Sequence, residues 1–330
     1  MGMQIYIVLT ERCNLNCNMC IRGEKKYRDI SLQELKDIKF FDNVKGCDVV
    51  LTGGEPMLYE NIYEIAHEMA RNARKVIITT NGTINLDIKK ISEIENLFIQ
   101  VSLDGTEKIH DSIRGKDSFK KTVSTIRKLD INDVAYSVAS VINRKNKDDL
   151  DTMLDLLKKF NNMRYWKVSY EMPFGRSNFD NMMSSEEWNS FVDTVVEKAR
   201  IRVKIKKLYA FDLYSKRKVC NNINPCRNCG SASQKVYIYP DLKVYPCTCL
   251  KDFMIGDLHY ERLKDILVGD SAYTFINYKI NRDSPCIECK YINFCRGGCI
   301  GMSYHVFKKI GYGDIRCPMV REYYEKNILL

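Results

Sequence analysis

Cys13, Cys17 and Cys20 are separated by three and then two residues, directly behind the apolar run Met3-Gln-Ile-Tyr-Ile-Val-Leu9. That run has strand character, so the thiol loop is expected to leave the C-terminal end of a buried strand, where α/β enzymes place their chemistry. Three thiolates crowded on one loop suit a cubane iron–sulfur cluster with one iron left open. A zinc knuckle that borrows a distant fourth ligand is the alternative.

A second motif follows the next apolar run, Asp48-Val-Val-Leu51: it reads Thr52-Gly53-Gly54-Glu55-Pro56. Glycines let backbone approach a ligand closely, and a carboxylate complements an ammonium. Up to about residue 200, short strand-type runs alternate with amphipathic segments, a pattern that predicts parallel strands joined by crossover helices. Further strands are expected at 75–80, 97–103, 134–142 and 165–170. Helices are expected at 31–42, 60–72, 118–129, 146–160 and 184–199, the first capped by Ser31 with Glu34 as its capping-box partner. Six strand–helix units make a three-quarter barrel rather than a closed one. Polar residues at several strand ends (Thr80, Asn81, Ser102, Asp104) would face a ligand at its mouth. His110, a lone loop histidine, is assigned no role.

With both motifs in order, each behind a strand, the chain resembles the radical S-adenosylmethionine (SAM) enzymes. The resemblance implies that Cys13, Cys17 and Cys20 hold a 4Fe–4S cluster and that Gly53, Gly54 and Glu55 receive the SAM amino group. It also implies that Ser102 contacts the ribose or methionyl part and that Arg114 grips the SAM carboxylate, a task suited to a guanidinium fork. Met172-Pro-Phe-Gly-Arg176 matches the turn bordering the adenine, with Arg176 itself read as structural.

Ten of the fourteen cysteines lie beyond residue 219. The spacing Cys286-x2-Cys289-x5-Cys295-x3-Cys299, followed by Cys317, resembles the SPASM domain of peptide and protein maturases. The resemblance implies two auxiliary 4Fe–4S clusters. Cys286, Cys289, Cys295 and Cys317 would hold the outer one. Cys229, Cys247 and Cys299 would hold the inner one, with a fourth ligand from Cys226 or Cys220. Zinc binding by the Cys-x2-Cys pairs stays open. Where the SPASM pattern has glycine five residues before Cys247, this chain has Leu242, so another type of hairpin turn is expected there. Cys47 reads as a small buried hydrophobe on the second strand.

The expected architecture is thus α/β: a partial (β/α)6 TIM-like barrel over 1–200, a bridge at 201–225, and a small cysteine-rich SPASM domain at 226–330 with a β-hairpin and short helices. Only twelve residues precede Cys13, so no separate leader-binding domain is expected ahead of it. No apolar run spans a bilayer and no export signal opens the chain, so a cytoplasmic location is expected and the thiols are metal ligands rather than disulfides. The formal net charge is +10, but cluster-bound thiolates would remove about half of that excess, which weakens a nucleic-acid reading. Ala199 to Lys207 alternates basic and apolar residues, as in a strand with one charged face. Arg200, Arg202 and Lys204 could there accompany an acidic peptide added at the edge.

By resemblance, the chemistry is reductive cleavage of SAM and hydrogen abstraction from a ribosomally made peptide, leaving a thioether or carbon–carbon crosslink. The electron would come from a donor such as flavodoxin or ferredoxin. A formylglycine-forming sulfatase maturase and a small-molecule dehydrogenase are the enzymatic alternatives; a zinc-stabilised binding protein is the non-enzymatic one. Thr248 counts against the sulfatase maturases, which carry a basic aspartate directly after the cysteine equivalent to Cys247.

Overall fold

The computed structural model describes residues 2–23, 28–210 and 230–327. Seven parallel strands follow one another in chain order: β1 (Gln4–Thr10), β2 (Asp48–Gly53), β3 (Lys75–Thr80), β4 (Leu97–Ser102), β5 (Tyr136–Ile142), β6 (Met163–Tyr170) and β7 (Val203–Lys204). Between them run α1 (Leu32–Asp37), α2 (Ile62–Ala70), α3 (Ile88–Ser92), α4 (Glu107–Arg114), α5 (Ser118–Ile131), α6 (Leu150–Leu157) and α7 (Ser185–Lys198). This is the open α/β barrel expected from the alternating pattern.

Burial along β3 and β6 alternates with period two, so one face of each strand packs on the helices and the other lines the lumen. On the helix side, Ile5, Leu51, Ile78, Val101, Val138 and Trp166 join Leu35, Ile65, Ile126, Leu154 and Val195 in one core. Each such side chain contributes about 1.5–3 kcal/mol on burial. Trp166 is fully buried and its indole N–H finds Ser140 Oγ at 2.8 Å, which satisfies its one polar atom. Lumen-side residues such as Tyr6, Gln100 and Lys167 stay half-buried.

Three local expectations change. The Ser31 hydroxyl caps α1, but that helix stops at Asp37; the reciprocal capping box forms instead at Ser184 and Glu187, ahead of α7. Cys47 precedes β2 and is half-buried at the core's margin. The basic stretch 199–207 is a strand only over Val203–Lys204. Beyond it the backbone is claimed by α7: Trp188 Nε1 donates to the Lys206 carbonyl, and Asn189 bonds both the N–H and the carbonyl of Leu208, all at 2.8 Å.

The cysteine-rich part joins the barrel directly. Strand β8 (Lys235–Ile238) pairs parallel to β1, with Gln4 opposite Lys235, and then turns into β9 (Lys243–Tyr245) and β10 (Gly256–Asp257), giving one ten-stranded sheet ordered β10-β9-β8-β1-β2-β3-β4-β5-β6-β7. Leu242 keeps the left-handed turn (φ 56°) despite its side chain, contrary to the expected change of turn type. The backbone cost, roughly 1–2 kcal/mol, is offset because Leu242 is fully buried. Short helices α8 (Leu263–Ile266), α9 (Asp270–Ile276), α10 (Ile292–Cys295), α11 (Ile300–Phe307) and α12 (Pro318–Asn327) complete the domain. No helix among the described residues is long and apolar enough to cross a membrane.

Candidate active site and cluster centres

The thiol loop is tied down on every side. Arg12, at its start, pairs with Asp29 and donates to the Leu58 carbonyl at 2.9 Å. Asn14 bonds both Thr83 and Asn81, and the Asn18 N–H reaches the Ile113 carbonyl at 3.1 Å. From the end of β6, Arg176 donates its N–H to the Cys20 carbonyl (3.0 Å) and Nε to the Cys17 carbonyl (2.9 Å). Gly175, at φ 67°, lies so close that a β-carbon there would collide with the Cys20 carbonyl. Arg176 is therefore structural, as its position suggested, and its object is the cysteine loop.

The Gly53-Gly54 turn serves the same loop. Gly54 N–H donates to Thr10 and Glu55 N–H to Arg12, both at 2.8 Å, and a β-carbon on Gly54 would overlap the Arg12 carbonyl. The close approach made possible by glycine is thus between two strand ends. Glu55 is fully buried; its carboxylate accepts from Thr80 Oγ1 (2.6 Å), Asn81 N–H (2.7 Å) and Met57 N–H (3.1 Å), bracing β2 to β3. Burial pushes its pKa up from 4.5 to about 7, against the pull of those donors.

A raised folded-state pKa means that the native state binds the proton more tightly than the unfolded chain does. Glu55 therefore makes stability fall as pH rises between about 4.5 and about 7. Denaturant titrations of wild type and Glu55→Gln across that range should show a slope in the wild type that is reduced in the variant; parallel profiles would contradict the assignment.

Arg114, at the end of α4, donates Nε to Asp104 Oδ2 at 2.5 Å, with both side chains almost wholly buried. Asp104 also accepts from Val141 N–H at 2.8 Å. The guanidinium expected to grip a SAM carboxylate thus has a resident partner, while its remaining surface borders the cavity. Burial raises the Cys17 thiol pKa, and Arg114 opposes that shift. His110 accepts from the Asp104 N–H at 3.1 Å, is completely buried, and is held neutral by burial, its pKa lowered to about 4; it is a packing residue.

These elements enclose a cavity of about 380 Å³ lined by Cys13, Cys17, Cys20, Gly53, Gly54, Glu55, Ser102 and Arg114. Thr80 and Asn81 line it too, whereas Asp104, also expected at the barrel mouth, lies behind Arg114 and does not. Tyr170, Met172 and Arg176 close one side, and Lys251, from the cysteine-rich domain, also lines it.

The C-terminal thiols fall into two groups. Cys286, Cys289, Cys295 and Cys317, the four thiols expected to form the outer set, surround a second small cavity with Tyr209 and Asp314. Burial, reinforced by the neighbouring thiols and Asp314, pushes Cys286 up to about 11 and Cys295 up to about 12. In the inner group, Cys249 donates to the Cys247 thiolate, which holds Cys247 down and Cys249 up. Gly301 packs against both the Cys249 β-carbon and Cys299 Sγ. Cys249 is a member of this group that the SPASM spacing does not supply; its place one residue beyond Cys247 is the signal for it. Cys220, Cys226 and Cys229 lie outside the described residues.

Asp314 and Arg316 form a centre that sequence reasoning missed. Asp314 accepts from the Cys299 N–H (3.1 Å), the Tyr209 hydroxyl and Arg316, and its carbonyl accepts from the Cys317 N–H at 2.9 Å. It therefore orients one cysteine of each group. Arg316 extends to Met172 Sδ (2.9 Å) and over the Tyr170 ring (5.4 Å), both on the first cavity's wall. Two ions on either side of Ile315, next to Cys317, were the only hint.

Residues 7–157 match the Radical SAM superfamily, and residues 226–290 match the SPASM iron–sulfur cluster-binding domain. The chain carries a radical SAM domain followed by a SPASM domain, whose cofactors are S-adenosylmethionine and 4Fe–4S clusters. It is similar to the cysteine-type anaerobic sulfatase-maturating enzyme of Clostridium novyi, 26% identical over 97% of this chain and 93% of that protein. It is also similar to the antilisterial bacteriocin subtilosin biosynthesis protein AlbA of Bacillus subtilis, 26% identical over 88% of this chain and 65% of that one. In fold it resembles Streptococcus suis SuiB bound to S-adenosylmethionine, with a TM-score of 0.80 and 16% identity, covering 96% of this chain and 77% of that one; SuiB has also been crystallised with the precursor peptide SuiA.

The residues present fit these cofactors. Three thiols share one strapped loop at a cavity that also holds Glu55, Ser102 and Arg114, and four more ring the second cavity.

Proposed function

We propose that the chain is a radical SAM maturase that oxidatively modifies a ribosomally synthesised peptide, most simply by a thioether or carbon–carbon crosslink. Cys13, Cys17 and Cys20 would hold the SAM-binding cluster. Cys286, Cys289, Cys295 and Cys317 would hold the outer auxiliary cluster. Cys247 and Cys299 belong to the inner one, with Cys229 and either Cys226 or Cys220 as further ligands. When bound, cluster and SAM supply one-electron cleavage and hydrogen abstraction; the protein's own part is to position them and exclude water. Gly53, Gly54, Glu55, Ser102 and Arg114 would border the SAM. The inner thiol group could take up the electron left on the substrate, and a flavodoxin- or ferredoxin-like donor would supply the first one.

The observation that carries this reading is that Lys251, two residues after Cys249, borders the same cavity as Cys13, Cys17 and Cys20. Both cluster-bearing regions therefore face one reaction space. SuiB, crystallised with the precursor peptide SuiA, and AlbA, a bacteriocin biosynthesis protein, support a peptide as substrate. The end-to-end match to the Clostridium novyi enzyme favours a second reading, formylglycine formation. Against it, Thr248 stands where that group carries its base, and its hydroxyl is engaged by the Tyr239 hydroxyl at 3.1 Å.

The test is to reduce the reconstituted protein with SAM in the presence of cysteine-containing or aromatic peptides and weigh the products. Loss of two hydrogens supports crosslinking. Replacement of the cysteine sulfur by an aldehyde oxygen would assign the second reading, and unchanged masses would contradict both.

A further inference from the structure

At the opposite end of the barrel, where the strands begin, lies an open basin of about 610 Å³ bordered by Lys75, Phe98, Arg164, Tyr165, Arg202 and Lys204. A strand of six residues spans roughly 20 Å, so this basin is well separated from the thiol loop. Phe98 and Tyr165 stack with centroids 5.7 Å apart and planes 12° from parallel. Lys75 Nζ sits over the Phe98 ring at 3.6 Å and Lys204 Nζ over Tyr165 at 3.5 Å. The strand order puts β3 and β7 on either side of the pair, so the two ammoniums flank the stack.

Asp48 is the acidic residue of this wall, and it is taken by Arg74 through two bonds of 2.9 and 2.7 Å. None of Lys75, Arg164, Arg202 and Lys204 forms an ion pair with a carboxylate among the described residues. Burial and the neighbouring Lys204 both lower the pKa of Lys75 and of Lys167 on the adjoining lumen wall. The aromatic pair thus holds the cations in place without neutralising them.

We propose that this basin binds an acidic segment of the peptide substrate, whose carboxylates pair with Lys75, Arg164, Arg202 and Lys204 while the residue to be modified is presented elsewhere. The source of the segment rests on the peptide-maturase reading above; the chemistry of the basin does not. Carboxylates fit better than nucleotides because lysines already lie against both rings of the aromatic pair, which limits the surface on which a base could stack. The basin's size suits several side chains rather than one small anion. Its place beside β7, the outermost strand at this side of the sheet, leaves room for an extended chain.

The test is the binding of a fluorescent oligoglutamate peptide to the reconstituted full-length protein, read by anisotropy without turnover. Arg202→Glu with Lys204→Glu should weaken binding about tenfold or more and flatten its salt dependence. Lys308→Glu, on the exposed surface of the cysteine-rich domain, should leave it unchanged, and 5′-deoxyadenosine release without peptide should persist in all variants. Where the double reversal does not fold, Arg164→Gln carries the test, with an expected loss of about threefold. Affinity unchanged within about twofold in the folded variants, or stronger displacement by inorganic tripolyphosphate than by oligoglutamate of equal charge, overturns the proposal. Charge-dependent oligoglutamate binding with no peptide ever modified would instead sink the maturase reading, and with it the substrate as the source of the segment, and leave the basin as a carboxylate-binding site.

Discussion

Asp314→Ala is expected to destabilise the protein by about 3–5 kcal/mol, the cost of leaving one partner of a buried ion pair uncompensated. Against a typical total of roughly 5–15 kcal/mol, that is enough to unfold much of the cysteine-rich domain. Arg316, itself 8% exposed, would lose its counter-ion, and the Cys299 N–H and Tyr209 hydroxyl would lose their acceptor. Because Asp314 holds a cysteine from each thiol group, auxiliary iron should fall together with stability. Because Arg316 reaches Met172 and Tyr170, the wall of the first cavity should loosen as well.

The cause can be isolated with a second variant. In Asp314→Ala with Arg316→Met, the stranded charge is gone and an apolar side chain fills its place, so part of the lost stability should return. Guanidinium unfolding with iron quantification on wild type, single and double variants makes the comparison. A single variant within about 1 kcal/mol of wild type, or a double variant worse than the single, would contradict this role.

What could be read from the sequence was what is local. The spacing of Cys13, Cys17 and Cys20, the Gly53-Gly54-Glu55-Pro56 turn and the 286–299 cysteine run each sit within one loop, and strand periodicity placed the first two at one end of a parallel sheet. The eight residues expected to hold the cluster or SAM do line a single cavity, while Asp104, expected beside them, does not. Their tasks were less legible, because a task depends on partners distant in sequence. Asp104 occupies Arg114, Thr80 and Asn81 occupy Glu55, and the Arg12 carbonyl explains Gly54.

Long-range pairing was hidden for the same reason. Nothing near Lys235 announces that β8 will lie parallel to Gln4 in β1, since such pairing carries no turn signal of its own. The alternating stretch 199–207 had the period of a strand, yet α7 side chains took the backbone bonds that a longer ladder would have used. Leu242 shows the limit of a backbone rule: burial kept a side chain at a position where glycine is usual.

The second large effect bears on the centre of the account. Cys13, Cys17 and Cys20 are the thiols of the N-terminal cavity among the described residues, on a loop strapped by Arg12, Asn14, Asn18 and Arg176. Replacing all three by alanine removes the thiols that line that cavity among the described residues while leaving the straps in place. The fold should therefore survive, and the auxiliary thiols should still take up iron. The measurement is 5′-deoxyadenosine released from SAM under reducing conditions by the reconstituted triple variant, set beside its iron content and unfolding curve. Nucleoside at the level of the protein-free control, in a folded chain that has lost only the N-terminal share of its iron, is the expected result; release at the wild-type rate would contradict the assignment of this cavity as the site of SAM cleavage.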